Sequence, residues 1–107
     1  MPLPLFVYGT LLDDTQVRAV AGRTFARRPA VLAGHRRVWP RGGYPSIVAD
    51  PDASVAGDLL EGVDDAALQA FDTYEDEGRL YRREEATVTS GGEAVRCFVY
   101  RARRPPG

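Results

Sequence analysis

The segment Phe71-Asp72-Thr73-Tyr74-Glu75-Asp76-Glu77-Gly78-Arg79-Leu80-Tyr81-Arg82 carries the end of an amphipathic helix into the start of a strand. Asp64-Asp65 supply a cap upstream, and Ala67, Leu68 and Phe71 recur at helical spacing on one face. The next position on that face, four beyond Phe71 and seven beyond Leu68, is Glu75. A carboxylate at the last position of an apolar stripe is out of place. Burial disfavours its charged form, and the negative end of the helix dipole acts in the same sense. Both move it toward the range useful to a general acid/base. The competing reading ends the helix one turn earlier and leaves Glu75 in a solvated loop; the local pattern alone does not separate the two.

Downstream of this segment, Tyr81 to Ser90 alternates as a polar strand, Ser90-Gly91-Gly92-Glu93 reads as a hairpin turn, and Ala94 to Arg101 is the last strand. In that strand Val95, Cys97 and Val99 face one way, and Arg96, Phe98 and Tyr100 the other. The tail 103–107 is expected to be disordered. Upstream, Met1 to Tyr8 reads as a short buried strand whose prolines confine its start to an edge. Gly9-Thr10-Leu11-Leu12 is a turn, and a brief helix over Gln16 to Val20, capped by Asp13-Asp14-Thr15, stops at Gly22. In a strand, glycine turn and helix of this kind, backbone N–H groups can converge on an anion or a developing oxyanion.

Between these ends, Ala30 to Val38 is expected as a strand, 40–43 as a loop and Ser46 to Ala49 as a short strand. Asp50-Pro51-Asp52 is read as a turn. Val55 to Val63 is then a further strand, with Gly57 marking a bulge or the close approach of another backbone. Six short strands and two short helices predict an α+β fold: a small mixed six-stranded β-barrel in one domain spanning residues 1–107.

A net charge of −1 gives no field that would draw nucleic acid or an anionic membrane. The fourteen basic residues are all Arg, with no Lys and no Asn, a mark of base composition rather than of function. Cys97 is the only cysteine, so neither an intrachain disulfide nor a thiol zinc cage is expected, and no cofactor or metal is predicted. The apolar start lacks a basic lead and is too short for a membrane anchor, so a cytoplasmic location is expected; of the oligomeric states, left open by the residues, a monomer is preferred.

Four separated elements carry a resemblance: Phe6-Val7-Tyr8-Gly9-Thr10-Leu11, then Tyr44-Pro45, then Glu75 followed by Tyr81-x-Arg83, then Cys97-Phe98-Val99-Tyr100. In this order they resemble the gamma-glutamylcyclotransferase-like superfamily, and most of all its small members, the gamma-glutamylamine cyclotransferases and plant avirulence-induced-gene-like proteins. The resemblance implies a small barrel with packed helices. It also implies cleavage of a γ-glutamyl amide by its own α-amine, giving 5-oxoproline and a free amine. Carried onto this chain, it implies that Tyr8, Gly9, Thr10 and Leu11 bind the glutamyl part and that Glu75 is the acid/base. Leu12-Asp13-Asp14 departs from many relatives and predicts a more acidic pocket mouth.

Tyr8 is open between core packing and pocket lining, Tyr44-Pro45 between a rigid loop and a contact, and Tyr81 and Tyr100 read as packing residues that can edge the pocket. His35 has no nucleophile set beside it, and Asp72, near the face of Glu75, is open between a second carboxylate of the site and the favoured reading as a capping or solvated residue. The expected function is a cyclotransferase acting on a small γ-glutamyl amine or amide. A binding module on the same fold and a γ-glutamyl-removing tailoring enzyme are the alternatives.

Overall fold

The computed structural model describes residues 3–41 and 44–103; the expected disorder of the tail falls almost wholly outside these residues. In chain order the elements are β1 (Leu5–Val7), a 3-10 turn (Thr10–Leu12), α1 (Asp14–Ala21), β2 (Arg27–Arg41), β3 (Tyr44–Leu60), α2 (Asp65–Glu75), β4 (Tyr81–Ser90) and β5 (Glu93–Ala102). The strands close into a mixed barrel in the order β1-β3-β2-β4-β5. All pairings are antiparallel except β1 with β5, where Leu5 opposes Phe98 and the Phe98 N–H donates to the Pro4 carbonyl at 2.9 Å.

The barrel has five strands rather than six, because Asp50-Pro51-Asp52 does not reverse the chain. Ala33 opposes Ser54 and His35 opposes Ala49, so residues 50–53 bulge out of β3 opposite Gly34, whose φ is +73°. The turn chemistry is real but local: Asp50 accepts from the Asp52 N–H at 3.0 Å, as in an Asx turn. Pro51, with no N–H for the ladder, sits where none is needed. Beyond the bulge, β2 and β3 continue as a hairpin arm, and the loop expected at 40–43 shrinks: Pro40 and Arg41 belong to β2, and 42–43 lie outside the described residues. Ser46 ties this arm to the barrel by accepting the Ala102 N–H at 2.8 Å.

Alternation on the strands divides the apolar residues between two cores. Phe6 and Tyr8 meet Leu32, Ile47, Leu59 and Val99 inside the barrel. Leu5 and Val7 face outward and pack with Val17, Leu60 and Phe71 under the two helices. Each fully buried Leu or Phe of this set contributes about 1.5–3 kcal/mol. Gly57 is the close approach, not a bulge: a Cβ there would lie 2.2 Å from the Val7 carbonyl oxygen and 2.9 Å from the Phe6 ring. The glycine lets β1 seat against β3, and so fixes where β1 delivers the turn that follows it.

Candidate active site

The Gly9 turn leaves β1 directly. Its first bond runs from the Leu12 N–H to the Gly9 carbonyl at 3.0 Å, so the N–H groups of Gly9, Thr10 and Leu11 stand ahead of any intrahelical partner. Arg27 of β2 clamps this turn. Its guanidinium donates to the Leu11 carbonyl at 3.1 Å, to Asp14 at 2.6 and 2.9 Å, and to Asp58 of β3 at 3.0 Å. Asp13 caps α1 by accepting from the Thr15 N–H at 2.8 Å. The expected acidic mouth is therefore corrected: Asp14 is paired with Arg27, and neither Asp13 nor Asp14 lines the cavity.

The second contribution is the end of α2. Asp64 caps its start by accepting from the Ala67 N–H at 2.9 Å, and Ala67 and Phe71 are buried as the spacing predicts. The helix closes at Asp76 in the left-handed region, φ 54°. The Asp76 N–H reaches the Thr73 carbonyl at 3.2 Å and the Glu77 N–H reaches the Asp72 carbonyl at 2.9 Å. This is the reciprocal pair of a Schellman ending, built on an Asp rather than a Gly. Glu75 is thus the last helical residue, on the buried face and not in a solvated loop.

Glu75 is largely buried, and among the described residues no hydrogen bond or ion pair reaches its carboxyl. Burial raises its pKa from 4.5 to about 7. The consequence for stability has a definite sign. Between pH 4.5 and 7 the folded chain holds a proton that the unfolded chain has lost, so this contribution is whole below pH 4.5 and is lost as pH rises through 7. Ionised Glu75 then costs about 3 kcal/mol. Glu75→Gln is accordingly expected to be more stable than the wild type at pH 8 and no more stable at pH 4, by urea denaturation at both pH values. A difference that does not change with pH would sink the assignment.

These two contributions meet in a cavity of about 260 Å³. The turn residues Tyr8, Gly9, Thr10 and Leu11 line it together with Glu75, Tyr44, Tyr81 and Tyr100, so the structure brings together every site residue singled out from the sequence. Tyr44 is exposed at 58% and Leu80 at 53%, which makes them the rim rather than the floor. Tyr8 is core and lining at once: it is buried, and its hydroxyl donates to the Tyr100 carbonyl at 2.5 Å. The Tyr81 hydroxyl donates to the Pro45 carbonyl at 3.0 Å, and the Tyr100 hydroxyl donates to Asp72 Oδ1 at 2.6 Å. Burial raises the pKa of Tyr8, Tyr81 and Tyr100, and the nearby Glu75 carboxylate adds to each shift. The phenols are therefore neutral at any ordinary pH.

Sequence reasoning undervalued Asp72 and missed Tyr74. Asp72 is neither a cap nor solvated. It accepts the Tyr100 hydroxyl hydrogen bond on one oxygen and that of Arg83 Nη1 at 2.8 Å on the other, while Arg83 lies 4.8 Å over the Phe98 ring. Tyr74 lines the cavity and shares a 2.8 Å hydrogen bond with Thr10, a link between α2 and the turn that no spacing along the chain encodes. His35 stays outside, with Nδ1 2.9 Å from the Ala33 carbonyl and Nε2 3.3 Å from Arg101. Cys97 is core, its thiol pushed up to about 12 by burial. A larger cleft of about 570 Å³ between the hairpin arm and β5 holds none of these groups, and its Arg101 pairs with Glu84 at 3.1 Å.

Fold and site together define a small α+β barrel protein in which a carboxyl with no hydrogen-bond or ion-pair partner among the described residues and a glycine turn line one tyrosine-rich cavity. Residues 5–106 match the family model described as gamma-glutamyl cyclotransferase, AIG2-like, and the chain belongs to that family. Protein AIG2 C of Arabidopsis thaliana is 39% identical over 99 residues, which cover 90% of this chain and 59% of that protein; the chain thus spans well under two thirds of the relative's length. A second Arabidopsis thaliana protein, solved in solution, superposes with a TM-score of 0.80 at 33% identity over 94% of this chain and 61% of its own. A solved structure named gamma-glutamyl cyclotransferase matches with a TM-score of 0.79 over 94% of this chain and 66% of its own; at 18% identity it shows a shared fold. No helix among the described residues is long and apolar enough to cross a membrane.

Proposed function

We propose that this chain is a cyclotransferase that converts a small γ-glutamyl amine or amide to 5-oxoproline and a free amine, acting as a cytoplasmic monomer. The observation that carries the reading is Glu75: a carboxyl with no protein partner among the described residues, raised to about 7, in a cavity it shares with the Gly9 turn. The substrate's α-amine is mostly an ammonium ion near neutrality, since an α-amino group ordinarily titrates at about 8. Ionised Glu75 takes one proton from it. The amine nitrogen then attacks the γ-carbonyl carbon and closes a five-membered ring. As the bond from that carbon to the leaving nitrogen breaks, Glu75 gives its proton to the leaving amine, and the regenerated carboxylate then carries the second proton from the ring nitrogen to that amine, which departs as an ammonium ion and leaves a neutral lactam. Ring closure within one folded substrate needs orientation more than activation, which the walls of the cavity supply. The N–H groups of the turn offer donors to oxygen atoms of the substrate as negative charge develops.

Two further features support this reading. The cavity lies near the lower end of the range for small-molecule sites, roughly 300 Å³, so it suits a glutamyl group and not a large ligand. Its exposed rim at Tyr44 and Leu80 leaves room for the amine part to project outward. The direct test is release of 5-oxoproline from a panel of γ-glutamyl amines and γ-glutamyl dipeptides. Release is the expected result, with a rate that rises as pH passes through about 7 and Glu75 ionises. Silence across the panel, with 5-oxoproline or glutamate still bound, would replace the enzyme by a binding module.

A further inference from the structure

A phenol has one proton to donate. In this cavity that proton is already committed in three tyrosines: Tyr8 gives it to the Tyr100 carbonyl, Tyr81 to the Pro45 carbonyl and Tyr100 to the Asp72 carboxylate. The direction of each bond is fixed by chemistry, since neither a carbonyl nor a carboxylate can donate. What these hydroxyls turn toward a ligand is therefore lone pairs only. The cavity has no Lys, Arg or His in its lining, and its one acid is Glu75. The inner side chains thus form an acceptor-rich wall, while the donors are the backbone of the Gly9 turn, the Thr10–Tyr74 hydroxyl pair beside it and Tyr44 at the rim. Such a division suits a ligand with a cationic donor at one end and oxygen acceptors at the other, and aromatic faces add attraction for a cation.

We propose that Asp72 is a positioning residue: by taking the hydroxyl proton of Tyr100, it makes that phenol an acceptor for the α-ammonium group of the substrate. The inference rests on the γ-glutamyl reading above for the identity of the ammonium, but not for its presence. Asp72 does not line the cavity; it acts through Tyr100 and is itself held by Arg83 at 2.8 Å. That second bond decides what an isosteric change would do. In Asp72→Asn the amide oxygen stays with the guanidinium, which can only donate, and the amide N–H₂ turns to Tyr100. The Tyr100 hydroxyl then accepts from Asn and points its own proton into the cavity. Shape is kept and polarity is reversed.

The experiment compares L-glutamine with glutaramate, the same molecule without its α-amino group, by calorimetric titration at pH 6.5. It is done in Glu75→Gln protein, so that neither turnover nor the Glu75 charge contributes. L-Glutamine is expected to bind about tenfold more tightly, the value of a hydrogen bond to a charged group. Adding Asp72→Asn is expected to reduce that preference to less than about threefold. Tyr100→Phe, which removes the oxygen, provides a second route to the same loss. A preference that survives both changes would overturn the role of Asp72 and leave the γ-glutamyl reading standing. If neither ligand binds, that reading fails, and n-butylammonium against n-pentanol decides the inference. Ammonium binding that Asp72→Asn weakens supports it, and no ammonium binding refutes it.

Discussion

Glu75→Gln is expected to lower 5-oxoproline release by about 10²–10⁴-fold, the usual contribution of a positioned general acid/base. Affinity for a substrate analogue should change far less, because the amide fills the same space and the carboxyl makes no hydrogen bond or ion pair with the described residues. The expected pattern is therefore a loss in kcat with little change in KM. Glu75→Asp probes the same point from another side. It keeps the acid but withdraws it by one methylene from a site where orientation supplies much of the rate, so it should fall between the wild type and Gln. Release by Glu75→Gln at the wild-type rate would leave an enzyme and remove its catalytic residue.

Gly9→Val is expected to weaken binding of glutamate or 5-oxoproline by about 100-fold or more, a loss on the order of 3 kcal/mol. A Cβ at Gly9 would lie 2.6 Å from Cγ of Pro45, which lines the same cavity. Pro45 has little freedom to retreat, because its carbonyl accepts the Tyr81 hydroxyl at 3.0 Å. The added branch therefore displaces the turn and its N–H groups rather than the proline. Removing the ring should relieve the conflict, so Pro45→Ala is expected to restore part of the affinity lost in Gly9→Ala. A thermal transition close to that of the wild type would show that the barrel survives. Unchanged ligand binding in Gly9→Val would exclude the turn from the site.

Much of this site was legible because its parts are local. The face Ala67, Leu68, Phe71 and Glu75 is set by helical spacing, and the structure keeps that face to its last residue. The β4–β5 hairpin follows from alternation and a Gly-Gly turn, and Cys97 and Tyr100 fall on opposite faces as read. What stayed hidden depends on partners distant in the chain. Asp50-Pro51-Asp52 has turn chemistry, but whether such a segment reverses the chain or bulges is decided by the strand beside it. Here β2 runs on as far as Arg41 and holds β3 straight past the bulge. Asp72 looked idle for the same reason: Tyr100 and Arg83, which give it work, come from β5 and β4 and carry no mark of that role in their own neighbourhoods.

The parallel pairing of β1 with β5 has a consequence for how the chain reaches this state. β1 is made first in synthesis, yet its closing partner Phe98 and the Tyr8–Tyr100 bond, 92 residues apart, come from the last strand. Every other pairing can form between neighbours in sequence or across shorter loops. Closing a loop of that length is entropically unfavourable, and contacts of that kind slow folding. The β1–β5 seam is the pairing of longest reach, and until it closes the edge of β1 that faces β5 stays open to any other chain nearby. A ligand that binds the finished turn would hold the seam shut and draw the last step of folding toward completion.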